Sequence, residues 1–371
     1  MIIGVPKEIK NNEYRVGVTP SGVEELVGDG HSVLVETEAG LGSYIQDEDF
    51  RSAGASLIPE AETVWGEADM IMKVKEPLPG EYGLMREGQT LYTFLHLAPL
   101  PELVDVLLEK KIRSVAYETI QLSDGSLPLL APMSQVAGKL AVQQGAVFLQ
   151  REKGGRGVLL GGVPGTVHGR VVIIGGGNVG IHSARMAWGM GAEVVILDVS
   201  PERLAYLDDI FDGKVVTLIS NRRNIREAAA DCEILVGAVL IPGALAPKLI
   251  DRRVIQGMKK GSVFVDVAID QGGISETSRT TSHDEPTYVE EDVIHCCVPN
   301  MPGSVPITST TALTNVTLPY GLKLASEDTR AALLADPALA MGVNTWDGRI
   351  TCQPVAEAQG KPYSPLGELI G

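Results

Sequence analysis

Chemistry-bearing side chains stand where several apolar runs of this sequence give out. His96 closes the run in TLYTFLHLAP, directly before Ala98-Pro99, and histidine is the side chain best suited to move a proton near neutral pH. Lys75 follows the apolar stretch of MIMKVKEP, with Glu76-Pro77 as its stop. Lys73 alternates with it, so a period-2 strand aims both lysines at one face. Strand-end placement favours Lys75 as the ligand-facing residue and leaves Lys73 as a partly exposed structural lysine. Arg15, in NNEYRVGVTP, comes after the first apolar run, and an arginine grips a carboxylate bidentately. In the second half, Asp270 lies just past VFVDVAI with glycines behind it, and Asn300 closes VIHCCVPN before a Pro/Gly turn. Asp266, inside its run, reads as a buried, hydrogen-bonded residue. Singly, Arg15 and Lys75 read as solvated charges and His96 as a structural histidine. Together, an Arg, a Lys and a His at strand ends facing Asp270 make a binding set for a small carboxylate, with Asn300 placed to touch substrate or cofactor.

A second constellation is built from glycines. The stretch VVIIGGGNVGIHSARMAWGMGAEVVILDVS holds Gly175, Gly177 and Gly180 in the Gly-x-Gly-x-x-Gly spacing, after an apolar run and before a helix rich in small residues. That context predicts a tight turn, close approach of backbone to pyrophosphate, and helix N–H groups aimed at the phosphates. Asp198 closes the next strand candidate, where a carboxylate bonds both ribose hydroxyls and repels a 2′-phosphate, which favours NAD. Arg203 lies close by and either softens that preference or lines the adenine edge.

The elements that must position these residues read as two α/β arrays. IIGV, SVLVE, MIMKV, TLYTFL and IRSVAYE are strand candidates in residues 1–130, separated by helical stretches such as PSGVEELVGDG and LPELVDVLLEKK. From Ser134, SQVAGKLAVQQGAVFLQRE predicts a long connecting helix, and GGRGVLLGGVPGTVHG a loop or short hairpin. RVVIIG, EVVILDV, VVTLIS, EILVGAV, SVFVDVA and VIHCCVP then predict six parallel strands, a doubly wound dinucleotide domain. ITSTTALTNVTLPYGLKLA predicts a further long helix, broken near Pro319. It and the C-terminal tail show no strand array of their own, so the chain is expected to return to the first domain. The resulting expectation is α/β, with two Rossmann-like domains. A parallel-sheet NAD domain (131–306) is inserted into a discontinuous substrate domain (1–130 and 307–371).

Composition bounds the rest. The chain has 371 residues, enough for two domains, and its formal charge of −16 argues against nucleic-acid or anionic-membrane partners, which select for basic patches. Every apolar run is interrupted by Gly, Pro or charge, so no membrane span is expected. Cys232, Cys296, Cys297 and Cys352 have no metal-ligand spacing and read as free thiols, fitting a reducing cytoplasm.

The segments GVPKEIKNNEYRVGVTP, KVKEP, FLHLAP, APMSQVAGKLA, GGVPGTVHGRVVIIGGGNVG, VDVAIDQGG and VPNMPGSVPITST, in this order, resemble the L-alanine dehydrogenase family over essentially the whole chain. Transhydrogenase NAD-binding components and saccharopine-type dehydrogenases share the architecture. The resemblance implies reversible oxidative deamination of L-alanine with NAD to pyruvate, ammonium and NADH, without a metal. It assigns Arg15 and Lys75 to the substrate carboxylate and carbonyl, and His96 and Asp270 to acid/base work. It assigns Ser134, Asn178, Val179, Asp198, Arg203, Ser220, Val239, Leu240 and Arg279 to the NAD lining. The segments Val267, Ala268, Ile269, Asp270 and Val298, Pro299, Asn300, Met301 complete that lining. It also implies a homohexamer. A transhydrogenase-type component, a dehydrogenase of another small amino acid and a non-catalytic NAD-binding protein are the rival readings.

Overall fold

Unbroken apolar runs such as IIGV and RVVII belong in sheets covered on both faces, and the chain builds two of them. The computed structural model describes residues 1–239, 246–326 and 328–371. Contacts divide it into two units, Met1–Met133 with Gly303–Gly371, and Ser134–Pro302.

The first unit begins with β1 (Ile2–Val5), β2 (Ser32–Glu36), β3 (Ser56–Ile58), β4 (Met70–Met72), β5 (Thr90–Thr93) and β6 (Arg113–Ala116), all parallel. Alternation along β4 sends Met70 and Met72 into one core, with Val5, Tyr92 and Leu313, and Ile71 into the other, with Leu91 and Leu103. β4 ends at Met72, earlier than the run MIMKV suggests, so Lys73 and Lys75 lie beyond the strand.

The second unit carries β7 (Arg170–Ile174), β8 (Glu193–Asp198), β9 (Val216–Ile219), β10 (Ile234–Gly237), β11 (Val263–Asp266), β12 (Thr287–Glu290) and β13 (Val293–Cys296). Their order is β12-β13-β11-β10-β7-β8-β9, parallel throughout except for β12, which closes the edge antiparallel to β13. The six sequence-predicted strands are present, and the half-exposed β12 is an addition. Residues 155–169 form turns and loop without a strand.

The chain then returns to the first sheet. β14 (Val343–Trp346) pairs antiparallel with β6, and β15 (Arg349–Ile350) with β14, giving the order β15-β14-β6-β5-β4-β1-β2-β3. The tail thus supplies strands that the sequence reading did not assign. The helix Pro306–Ala325 also departs from expectation, because it runs unbroken through Pro319. Proline removes one N–H and costs about 3 kcal/mol in a helix interior. Leu313, Leu324 and Ala325 are buried in the core on either side, and Tyr92 OH donates to the Thr317 carbonyl at 2.9 Å. Buried leucines contribute roughly 1.5–3 kcal/mol each, so packing outweighs the broken bond.

Candidate active site

In the first sheet the strand order reverses between β1 and β4, and ligands of open α/β sheets bind at the carboxyl ends of such a pair. The loops leaving β1, β4 and β5 carry Arg15, Lys75 and His96 respectively. Each of the three is held by a carboxylate.

Arg15 is 2 % exposed, and the completely buried Glu13 side chain faces it. Arg15 Nε donates to Glu13 Oε1 at 2.6 Å and Nη2 to Oε2 at 2.5 Å, a fork that fixes the guanidinium plane. Nη1 lies 3.0 Å from Met133 Sδ.

Glu8 closes the gap between the β1 and β4 loops: its Oε1 accepts from Val74 N–H at 2.6 Å and from Lys75 N–H at 3.3 Å. The Lys75 carbonyl accepts from Thr93 Oγ1 at 3.0 Å, so the peptides on both sides of this residue are anchored. Lys73 is not partly exposed. It is 1 % exposed, with Nζ 3.3 Å from Glu8 Oε2 and donating to Glu81 Oε1 at 2.7 Å. Burial pushes the Glu8 carboxyl above its ordinary range against the pull of Lys73. Burial draws the Lys73 ammonium down, but the charges of Glu8 and Glu81 outweigh it and leave Lys73 raised. An isolated ammonium would not survive there, so the lysine is structural cement beneath the Lys75 loop.

His96 has a left-handed backbone, φ 48°, which costs a residue with a Cβ about 1–2 kcal/mol. Its half-exposed imidazole lies parallel to the Phe94 ring with centroids 5.8 Å apart, and Phe94 packs edge-on against Tyr117 at 5.1 Å. The His96 N–H donates to Glu118 Oε1 at 2.6 Å.

In the second unit the three glycines of the Gly-x-Gly-x-x-Gly motif differ in their surroundings. Gly175 has φ 104°, and a Cβ there would stand 2.6 Å from the Ala238 carbonyl oxygen. A Cβ on Gly180 would fall 1.9 Å from the Gly175 oxygen, so helix and strand meet there only through glycine. Around Gly177, beyond the residue itself and its two chain neighbours, no described protein atom lies within 4 Å of an added Cβ. Gly177 is also the N-cap of the helix Asn178–Gly189 and supplies no capping side chain, so Asn178, Val179 and Gly180 open a first turn suited to an anion. Close protein packing explains Gly175 and Gly180, whereas the side-chain position of Gly177 is open.

Asp198 ends β8, where Oδ2 accepts from Gly176 N–H at 2.7 Å and Oδ1 from Ser200 N–H at 3.0 Å. Arg203 Nε donates to the Gly176 carbonyl at 2.6 Å, and its guanidinium lies 4.9 Å from the Tyr206 ring, so this arginine braces the loop. Ser220 follows β9 and donates its N–H to the Asp198 carbonyl at 2.8 Å; Val239 follows β10. Val267, Ala268, Ile269 and Asp270 form a short 3₁₀ turn after β11, with Asp270 exposed. Asp266 caps that turn from a fully buried position, accepting from Ala268 N–H, Ile274 N–H and Ser278 Oγ. Val298, Pro299, Asn300 and Met301 follow β13, with Asn300 left-handed at φ 53°.

These residues therefore gather at the carboxyl edge of the second sheet. Ser134 instead sits in the helix Ala131–Phe148, and exposed Arg279 lies in the loop before β12, 3.8 Å over the Tyr288 ring. Leu240 lies outside the described residues. Cys296 and Cys297 are buried free thiols, each raised to about 12 by burial. Sequence reasoning missed Glu8, Glu13, Glu81 and Glu118. The Glu-x-Arg spacing of Glu13 and Arg15 was the one available signal; a lone loop glutamate reads as solvated charge.

Residues 4–137 match the family described as alanine dehydrogenase/PNT, N-terminal domain, and residues 141–353 match alanine dehydrogenase/PNT, C-terminal domain. An alanine dehydrogenase of Methanococcus maripaludis is 56% identical over 371 residues, 100% of both chains. One of Staphylococcus haemolyticus is 54% identical, over 100% of this chain and 99% of its own. A solved L-alanine dehydrogenase superposes with TM-score 0.93 at 52% identity, covering 96% of this chain and 99% of that one. A transhydrogenase from Sinorhizobium meliloti shares the fold, with TM-score 0.80 at 23% identity over 95% of this chain and 99% of its own. Matched along nearly its whole length by both family domains, and more than half identical to those relatives, the chain belongs to the alanine dehydrogenase family.

Proposed function

We propose that this chain is an NAD-dependent L-alanine dehydrogenase, which converts L-alanine and water reversibly to pyruvate and ammonium. The observation that carries the reading is the grouping of Arg15, Lys75 and His96 after β1, β4 and β5, neighbouring parallel strands about a switch point. Arg15, its plane set by Glu13, binds the substrate carboxylate. Lys75 donates to the carbonyl oxygen of pyruvate and stabilises its developing negative charge in the reductive direction. His96 takes the ammonium proton of alanine, so that the nitrogen lone pair can assist departure of the hydride from Cα. Asp270 serves as a second acid/base during hydration of the resulting imine and release of ammonia, and Asn300 orients substrate. A dinucleotide held by this lining would supply the hydride acceptor for deamination and the hydride donor for the reverse reaction.

The loop around Gly177 fits a pyrophosphate, with an open approach and an uncapped helix N-terminus. Asp198 at the end of β8, and an Arg203 committed to the Gly176 carbonyl, support NAD over NADP. Ser134, Ser220, Val239, Leu240, Arg279 and residues 267–270 and 298–301 complete the cofactor lining. The protein acts in the cytoplasm, a reducing compartment that its free cysteines fit, and as a homohexamer on the strength of its family resemblance. No helix of the described residues is long and apolar enough to cross a membrane.

The test is oxidation of NADH and NADPH by purified protein with ammonium and a panel of 2-oxo acids. Fast turnover with pyruvate and NADH is expected; equal rates with bulky acids, or none with pyruvate, would overturn the assignment. Sedimentation velocity should give a single hexameric species, and a dimer would remove that part.

A further inference from the structure

Strands β5 and β6 pair in parallel as far as Thr93 and Ala116, and then the ladder stops. β6 turns at once into the 3₁₀ segment Tyr117–Thr119, leaving the amides that follow β5 to find other acceptors. Phe94 N–H donates towards the other side, to the Val74 carbonyl at 3.2 Å. Leu95 N–H donates to Glu118, 3.2 Å from Oε1 and 3.3 Å from Oε2, and His96 N–H reaches Oε1 at 2.6 Å. A side-chain carboxylate thus stands in for the missing strand carbonyls.

We propose that Glu118 is the positioning residue for His96, holding the turn that aims the imidazole. The inference rests on the reading of His96 as the acid/base. Three observations carry it. The His96 backbone is left-handed, at φ 48°, a conformation that persists only where surrounding contacts over-determine it. The contact made is a charge-assisted bond from His96's own amide to a carboxylate whose side chain is only 15 % exposed. The same 3₁₀ segment supplies Tyr117, whose ring backs Phe94, on which the imidazole stacks, so one turn fixes both backbone and ring plane.

The geometry also separates two ways of acting. Glu118 Oε1 is 3.8 Å from His96 Nδ1, beyond hydrogen-bond reach, so the carboxylate holds the main chain and not the ring. An amide oxygen at the same place does the same job. Glu118→Gln therefore retains activity while Glu118→Ala loses it, whereas a charge acting on the imidazole would be lost in both variants.

The experiment measures kcat, KM for alanine, NADH binding by fluorescence and thermal midpoint for wild type, Glu118→Ala, Glu118→Gln, Glu118→Asp and His96→Ala. Glu118→Ala should lower kcat about 100-fold, the scale of a misplacement near 1 Å, with KM and NADH binding changed less than about threefold. Glu118→Gln should stay within about fivefold of wild type, and Glu118→Asp, whose oxygens retreat by one methylene, should resemble Glu118→Ala. Wild-type kcat in Glu118→Ala would overturn the proposal, as would Glu118→Gln falling as low as Glu118→Ala at an unchanged thermal midpoint. Should Glu118→Ala fail to fold, equal kcat in the Gln and Asp variants overturns it. An inactive wild type or a fully active His96→Ala sinks the functional reading itself; inactive His96→Ala beside an unaffected Glu118→Ala sinks this inference alone.

Discussion

Lys73 shows how a charge behaves when the nearest water is out of reach. With Glu8 and Glu81 it forms a buried trio, and removing its cation strands two carboxylates. Lys73→Met should therefore destabilise the protein by about 3–5 kcal/mol, read as a lowered urea midpoint with unchanged slope. A variant as stable as wild type would show that the trio adds nothing to folding. His96→Ala should instead leave stability and NADH binding intact while kcat falls about 10²–10⁴-fold, the usual contribution of general acid–base catalysis; single-turnover and binding assays separate the two. At this scale the sequence was legible for residues at strand ends, where a polar side chain interrupts an apolar run. It was not legible for Lys73, whose alternation with Lys75 suggested one shared face. β4 stops before both lysines, and burial is set by Glu8 and Glu81, which sit 65 positions earlier and eight later in the chain.

At the scale of the element, the strand–turn–helix around Gly175 offers a matched pair of tests. Gly180→Ala drives a methyl to 1.9 Å from the Gly175 oxygen, so strand and helix must separate and both thermal midpoint and cofactor binding should fall. Gly177→Ala meets no described protein atom beyond its two chain neighbours within 4 Å and should cost at most about 0.5 kcal/mol of stability, yet weaken NADH binding at least tenfold. Calorimetry and fluorescence titration read the two effects; wild-type affinity in Gly177→Ala would mean that pyrophosphate does not approach there. Most strands were readable from their apolar runs, because sheets covered on both faces demand them. The missed ones lie at sheet edges or carry polar residues: β3 has three residues, β12 is half-exposed, and β14 buries Asn344 and Thr345 through side-chain hydrogen bonds. Edge strands are kept short and polar, which erases the pattern that would reveal them. The helix through Pro319 was misread for a related reason, since local propensity was overruled by core packing.

For the whole molecule, pH acts through groups that folding keeps neutral. His295 is fully buried, with Nδ1 3.0 Å from the Val293 carbonyl and Nε2 2.8 Å from Thr277 Oγ1. Burial lowers its pKa from 6.5, so its contribution to stability is complete above pH 6.5 and is lost as pH falls through the folded value. The urea midpoint should drop on acidification from about pH 7.5 to 5.5, with a shallower slope in His295→Gln; equal slopes would assign the acid loss to other groups. The expected α/β class with two mostly parallel sheets held at this scale, because class follows from the alternation of apolar runs and helical stretches. One consequence concerns time. Among the described residues the β6 edge is covered by β14, and Ala116 and Val343 are separated by the whole Ser134–Pro302 segment. A ribosome adding about 5–20 residues per second leaves that edge unpaired for roughly 10–45 s. The nascent chain thus carries an unpaired row of strand donors and acceptors along β6 until its last strands emerge, the exposed border that the finished sheet hides.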